Sequence, residues 1–231
     1  MGEWKLEIED RGVSPYQTNV VTRLLSASDS KVIQQTAVAL QQGHLVVFPT
    51  DTVYGVGVHA WNEAAIRQLY AVKQRPFDKG IPILLADHAD LDKVAIHVPA
   101  LAQQHIAQYW PGPLTISVPK NPDLPGIISP NDGIALRIPD HAAARALIRA
   151  AGGALAASSA NLSGHPPATN GQQAMVELDG RVAFVLDDGP TPGDLPSTII
   201  SYLGDEPVVV RQGPIPAQAL LSPDHKRQPR P

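Results

Sequence analysis

The chain has no cysteine. Disulfides and thiolate zinc sites are therefore excluded. Aromatic residues make up 5%, charged residues 17%, and the net charge is −4. That balance argues against a broad phosphate-gripping face or a base-stacking platform. No apolar run approaches the ~20 residues needed to span a bilayer. The opening MGEWKLEIEDRG has no apolar h-region, so no signal peptide is expected and the location expected is cytoplasmic. Neither G-x-G-x-x-G nor G-x-x-x-x-G-K-[ST] occurs, which removes the two commonest phosphate cradles. H-E-x-x-H and G-x-S-x-G are missing too, so neither a zincin helix nor a serine-hydrolase elbow is present. The histidines, among them His59, His88, His97, His105, His141 and His165, show no ligand spacing, and no protein metal site is expected.

Of the 231 residues, 43% are apolar, enough for a substantial core, and 23 prolines and 18 glycines imply many turns. No internal repeat or composition break divides the chain. The expected organisation is an N-terminal extension over 1–27, one α/β domain over 28–216, and a disordered tail over 217–231. Helices and strands interleave unevenly, which predicts a twisted sheet of mixed parallel and antiparallel strands.

The stretch from Val46 to Lys79 organises the rest. Val46-Val47-Phe48 reads as a buried strand, ended by Pro49. Thr50, Asp51, Thr52 and Tyr54 then place three hydroxyls and a carboxylate in five residues, closed by Gly55. Asn62 caps a helix with Ile66, Leu69 and Tyr70 on one face, and Pro76 stops it. Lys73, Arg75 and Lys79 follow within seven residues. Such a unit can hold a small polar ligand beside a phosphate, or be an ordinary β–loop–α unit with a solvated basic end.

Elsewhere, WKLEIE alternates like a short strand. Asp29 or Ser30 caps a helix to about Gln42, closed by Gly43. Strands are predicted at 81–86, 114–118, 134–138, 154–157, 182–186, 197–202 and 208–211. Helices are predicted from Asp87, from Pro99 to about Tyr109, from a cap at Asp140, and over 171–178. Trp110-Pro-Gly-Pro reads as a rigid turn. Arg137 lies inside an apolar strand, where a lone charge is costly. It either pairs with an internal carboxylate or forks onto a ligand carboxylate. The Ser158–Gly164 loop can form an anion-holding nest or satisfy its own backbone.

The motifs PTDTVYG, KQRPFDKG, WPGPLT, ALRIPDH, SSANLSGHPP, PSTII and VVVRQGPI occur in that order between 49 and 215. Together they resemble the motif set of the YrdC-like family of threonylcarbamoyl-AMP synthases, in its single-domain form. The resemblance implies a twisted α/β sheet with a concave basic cavity, and a nucleotidyltransferase. L-Threonine, bicarbonate and ATP would give threonylcarbamoyl-AMP and pyrophosphate, with Mg2+ on the phosphates. The product would serve a downstream transferase complex that makes threonylcarbamoyladenosine in tRNA, with at most a weak RNA contact by this chain and none with a membrane.

The resemblance also implies site residues. Lys73, Arg75 and Lys79 would be the catalytic cations. Thr52, Arg137 and Ser197 would bind threonine. Arg75, Lys79, Gly133, Ala157, Ser159, Asn161, Pro167 and Arg211 would bind the nucleotide. The chain departs from the pattern at Leu84, where many members carry histidine. Two other functions compete: a non-catalytic RNA-binding or ribosome-maturation module, and a carbamoyl-transferring enzyme with another acceptor.

Overall fold

The computed structural model describes residues 20–221. WKLEIE, most of the 1–27 extension and the tail beyond 221 lie outside the described residues. Within them, α1 (Ser30–Gln41) follows β1 (Arg23–Ser26), and an antiparallel pair follows, β2 (Val46–Phe48) and β3 (Gly55–His59). Next come α2 (Glu63–Lys73), β4 (Ile83–Leu85), a 3-10 turn at His88–Lys93, α3 (Ala100–Tyr109) and β5 (Leu114–Pro119). After a second 3-10 turn, β6 (Gly133–Arg137), α4 (Ala142–Ala150), β7 (Ala154–Ser159), α5 (Gly171–Leu178) and β8 (Phe184–Asp187) complete the middle. The chain closes with β9 (Thr198–Ser201), β10 (Val208–Arg211) and α6 (Ala217–Leu221).

The strands form one ten-stranded sheet in the order β1-β8-β2-β3-β7-β4-β6-β5-β9-β10. β8 pairs in parallel with β1 and β2, β4 with β6, and β5 with β9. The other pairings are antiparallel, so the mixed sheet expected from the uneven alternation is present. Residues 23–26 belong to this sheet as β1, so the domain starts earlier than residue 28. Residues 217–221 are helical rather than tail.

Alternation along the strands decides what each face holds. On one face, Val47, Val56, Val58, Ile83, Leu85, Ile116, Leu136 and Ile200 join a core that includes Ile66 and Leu69 of α2 and Ile106 of α3. On the other, α1 and α4 lay Ile33, Ala37, Leu40, Leu147 and Ile148 over Val46, Phe48, Leu84, Leu155 and Phe184. That second cover reaches only as far as β4. Across β6, β5 and β9 the same face carries Ala135, Arg137, Thr115, Ser117 and Ser201 and stays open to a hollow.

Two expectations need correction. β3 is missing from the predicted strands because Gly55 and Gly57 look like turn residues. They are there for space: a Cβ on Gly57 would meet the Phe48 ring at 3.0 Å and the Ala156 carbonyl at 3.3 Å. The cap of α4 is His141 rather than Asp140: His141 Nδ1 accepts from the Ala144 amide at 3.4 Å, one residue further along than expected.

Other local signals hold. Asp29 caps α1, accepting from the Lys31 amide at 2.8 Å. Asn62 caps α2, accepting from the Ala65 amide at 3.0 Å, and Gln74 ends it in the left-handed region at φ 51°. Asn62→Ala should lower stability by about 1 kcal/mol, read as a lower urea midpoint with unchanged slope; an unmoved midpoint would show that the cap does not support the fold. No helix among the described residues is long and apolar enough to cross a membrane.

Candidate functional site

The hollow is a cavity of about 490 Å³, a volume suited to a small ligand. Its walls come from the 50–55 loop, the 75–82 turn, the 128–131 loop, and strands β5, β6, β7, β9 and β10. Because side chains on one face recur every second residue, β6 turns Gly133, Ala135 and Arg137 to the cavity and buries Ile134, Leu136 and Ile138. β5 does the same with Thr115 and Ser117, between Leu114, Ile116 and Val118.

One end of the cavity is built around Arg137. Its Nη1 donates to Thr52 Oγ1 at 2.8 Å and its Nε to the Gly112 carbonyl at 2.9 Å, while Nη2 pairs with Asp51 Oδ1. Of the two alternatives, the pairing with an internal carboxylate is the one present. Arg137 has an internal carboxylate partner, and it also lines the cavity. Burial pulls its pKa down, and the Asp51 charge works against that shift. Thr52 is held in turn by Thr50, whose hydroxyl lies 3.1 Å from Thr52 Oγ1 and donates to the Val53 carbonyl at 2.6 Å.

Ser197 also lines the cavity, its Oγ 2.7 Å from Thr115 Oγ1. Arg211 reaches across to it, with Nη2 donating to the Ser197 carbonyl at 2.8 Å and to Oγ at 3.1 Å. Arg75 is pinned to its own turn: Nε donates to the Lys79 carbonyl at 2.9 Å and Nη2 to the Gly80 carbonyl at 2.7 Å. Arg211 feels the other two guanidinium groups. Arg211 has its pKa lowered by burial first, then by Arg137, then by Arg75. Asp78 is the one carboxylate among the lining residues. Three arginines and one carboxylate thus line the cavity, and one of the arginines, Arg137, is already balanced by Asp51.

Of the residues singled out from sequence, Thr52, Arg75, Gly133, Arg137, Ala157, Ser159, Ser197 and Arg211 line this cavity. Four others do not. Lys79 is exposed, between the lining residues Asp78 and Gly80. Pro167 lies outside the walls. Asn161 is buried, its Nδ2 donating to the Leu162 and His165 carbonyls at 2.7 Å each, with Oδ1 unpartnered among the described residues. Lys73 is 1% exposed and turned into the protein behind Ser159. Thr115, Ser117 and Ser201 also line the cavity and are not among the predicted site residues. Their signal was present as polar residues alternating with apolar ones in LTISV and TIIS. Leu84, at the position of the missing histidine, lines the cavity where helix cover ends.

A family model for Sua5, YciO and YrdC, described as "Telomere recombination", matches residues 38–213. A Bacillus subtilis protein named threonylcarbamoyl-AMP synthase is 39% identical over 210 residues, covering 89% of this chain and 60% of that protein. A Vibrio cholerae protein of the same name is 35% identical over 164 residues, covering 70% of this chain and 87% of that protein. The crystal structure of Pyrococcus abyssi Sua5 complexed with L-threonine superposes with a TM-score of 0.83 at 31% identity, covering 88% of this chain and 61% of that one. The chain thus spans about three fifths of the length of the B. subtilis and P. abyssi proteins.

Proposed function

The chain belongs to the Sua5/YciO/YrdC family, and from that premise we propose that it is an L-threonylcarbamoyladenylate synthase. It would join L-threonine, bicarbonate and ATP into threonylcarbamoyl-AMP and pyrophosphate. The observation that carries this is the meeting, in one cavity, of the Arg137–Thr52–Ser197 group with Arg75, Ser159 and Arg211. The name of the B. subtilis relative and the threonine bound to the P. abyssi structure support the same reading.

In this scheme the amine of threonine attacks bicarbonate, forming an N–C bond as water leaves. An oxygen of the resulting carbamate attacks the α-phosphorus, and the bond to the β-phosphate oxygen breaks. No covalent enzyme intermediate is required, so the protein acts by positioning and by offsetting charge. Arg137 has five N–H groups and uses three on Asp51, Thr52 and Gly112. The other two would take the threonine carboxylate, with Thr52 and Ser197 fixing its orientation. Arg75 and Arg211 would offset phosphate charge, and Ser159 would present its hydroxyl and amide.

Magnesium fits as an ion carried on the phosphates. The lining offers it the single carboxylate of Asp78, and the described residues hold no group of three or more His, Asp or Glu that could cage it. Bound there, it would shield phosphate charge. The product would pass to a transferase complex acting on tRNA. An RNA-binding module without chemistry gains nothing from this geometry, since the arginines converge inside a hollow rather than along an open face.

The test is pyrophosphate release from ATP and bicarbonate by the purified chain. Release that requires L-threonine is expected. Release indifferent to threonine, or no release with all three substrates present, would overturn the assignment.

A further inference from the structure

Lys73 is the last residue of α2 and is almost wholly buried. Its Nζ donates to the Ser159 carbonyl and, at 2.6 Å, to the Asn161 carbonyl. Its own carbonyl accepts from the Ser163 amide at 2.9 Å. One residue thus fastens three backbone groups of the Ser159–Ser163 loop from the side away from the cavity. From the far side, Glu177 of α5 accepts from the Leu162 amide at 3.1 Å and meets His165 Nδ1 at 2.9 Å. No carboxylate among the described residues forms an ion pair with Lys73. A buried ammonium held by carbonyls alone is poorly compensated.

We propose that Lys73 is a positioning residue that sets the Ser159–Ser163 loop from behind and takes up a proton when an anionic nucleotide enters the cavity in front of it. The proposal rests on the nucleotide reading given above. The charged groups around Lys73 are Arg75, which opposes its charge, and Glu177, which favours it; His165 faces Glu177. Burial is the largest influence and pushes the amine down to about 7. The ammonium has three N–H groups and the neutral amine two, so both carbonyl contacts survive deprotonation. The loop keeps its shape through the titration and only the charge behind Ser159 changes. An incoming triphosphate supplies the negative charge that the site lacks, which favours the protonated form.

The sign follows from linkage. Below about pH 6 Lys73 is already charged and binding takes up nothing; near pH 8 it is largely neutral, binding takes up most of one proton, and affinity is about tenfold weaker than at pH 6. The measurement is calorimetric titration of the full chain with ATP, without threonine, in two buffers of different ionisation enthalpy at each pH. Lys73→Arg keeps a fixed charge, so its ATP affinity should stay flat and its heats should not differ between buffers beyond the proton linkage of ATP itself. Lys73→Met should lose at least tenfold in affinity; if it does not fold, the arginine variant carries the comparison. Wild-type binding with the same proton linkage as Lys73→Arg would overturn the proposal. Failure of ATP to bind the wild type would overturn the nucleotide reading instead.

Discussion

Arg137→Ala should lose threonine-dependent turnover and much of the fold's stability together. The guanidinium has two separate jobs in the structure. It faces the cavity with Thr52, and it balances Asp51, whose side chain is 11% exposed. Removing it leaves that carboxylate with the Asp140 amide as its remaining hydrogen-bond donor among the described residues. Breaking a buried pair in this way costs about 3–5 kcal/mol, out of a total stability on the order of 5–15 kcal/mol. The melting temperature should fall by roughly 10 °C.

On the chemical side, losing a preorganised charged donor should reduce kcat/KM by about 100-fold or more. Arg137→Lys separates the two roles. Its ammonium can still balance Asp51, so most of the stability should return. Its point charge cannot serve Asp51, Thr52, Gly112 and a carboxylate at once, so the threonine KM should stay high. An alanine variant that melts normally would remove the structural role, and one with an unchanged threonine KM would remove the binding role.

Gly213→Ala is the second large effect, and it comes from space. A Cβ at 213 would stand 2.6 Å from the Ser197 carbonyl carbon, and closer still to the Pro196 oxygen and the Thr198 nitrogen. All three are backbone atoms, so no side chain can rotate away. The segment after β10 must move off the start of β9. That movement strains the bond from the Gly213 amide to Thr198 Oγ1 at 3.0 Å and pulls Arg211 from the Ser197 carbonyl. Overpacking of this kind costs about 1–3 kcal/mol.

In the proposed reaction Ser197 would serve the threonine end and Arg211 the phosphate side. A shift between them should therefore raise the KM for threonine and for ATP together, each by about tenfold, equivalent to ~1.4 kcal/mol. Thermal melting and steady-state kinetics on one preparation check both parts. Unchanged values for both would show that β9 and β10 have room to adjust.

Much of this was legible beforehand where one residue's chemistry decides the outcome. Asn62 as a cap, Val46–Phe48 as a buried strand, and Gly171–Leu178 as a helix needed only local rules. β3 was hidden because glycine's two uses, turning and making room, look alike until the Phe48 ring is in place. Lys73 was hard to place for a different reason. The resemblance groups it with Arg75 and Lys79 as catalytic cations, yet Ile66, Leu69, Tyr70 and Lys73 share one helical face, and that face is buried. Periodicity outranked charge there. The Asp51–Arg137 pair spans 86 positions, and no local pattern could have chosen between that partner and a ligand.

The ladder between β3 and β7 sets Gly55 opposite Ser159, and the one between β4 and β6 sets Leu84 opposite Arg137. Thr52 enters from the loop just before β3, so its wall and the Ser159 wall are rungs of one frame. The spacing between them is set by the β3–β7 ladder, whose hydrogen bonds cannot stretch singly. A guest must therefore match that spacing with its own reach, and any give has to come from the turns at the rim.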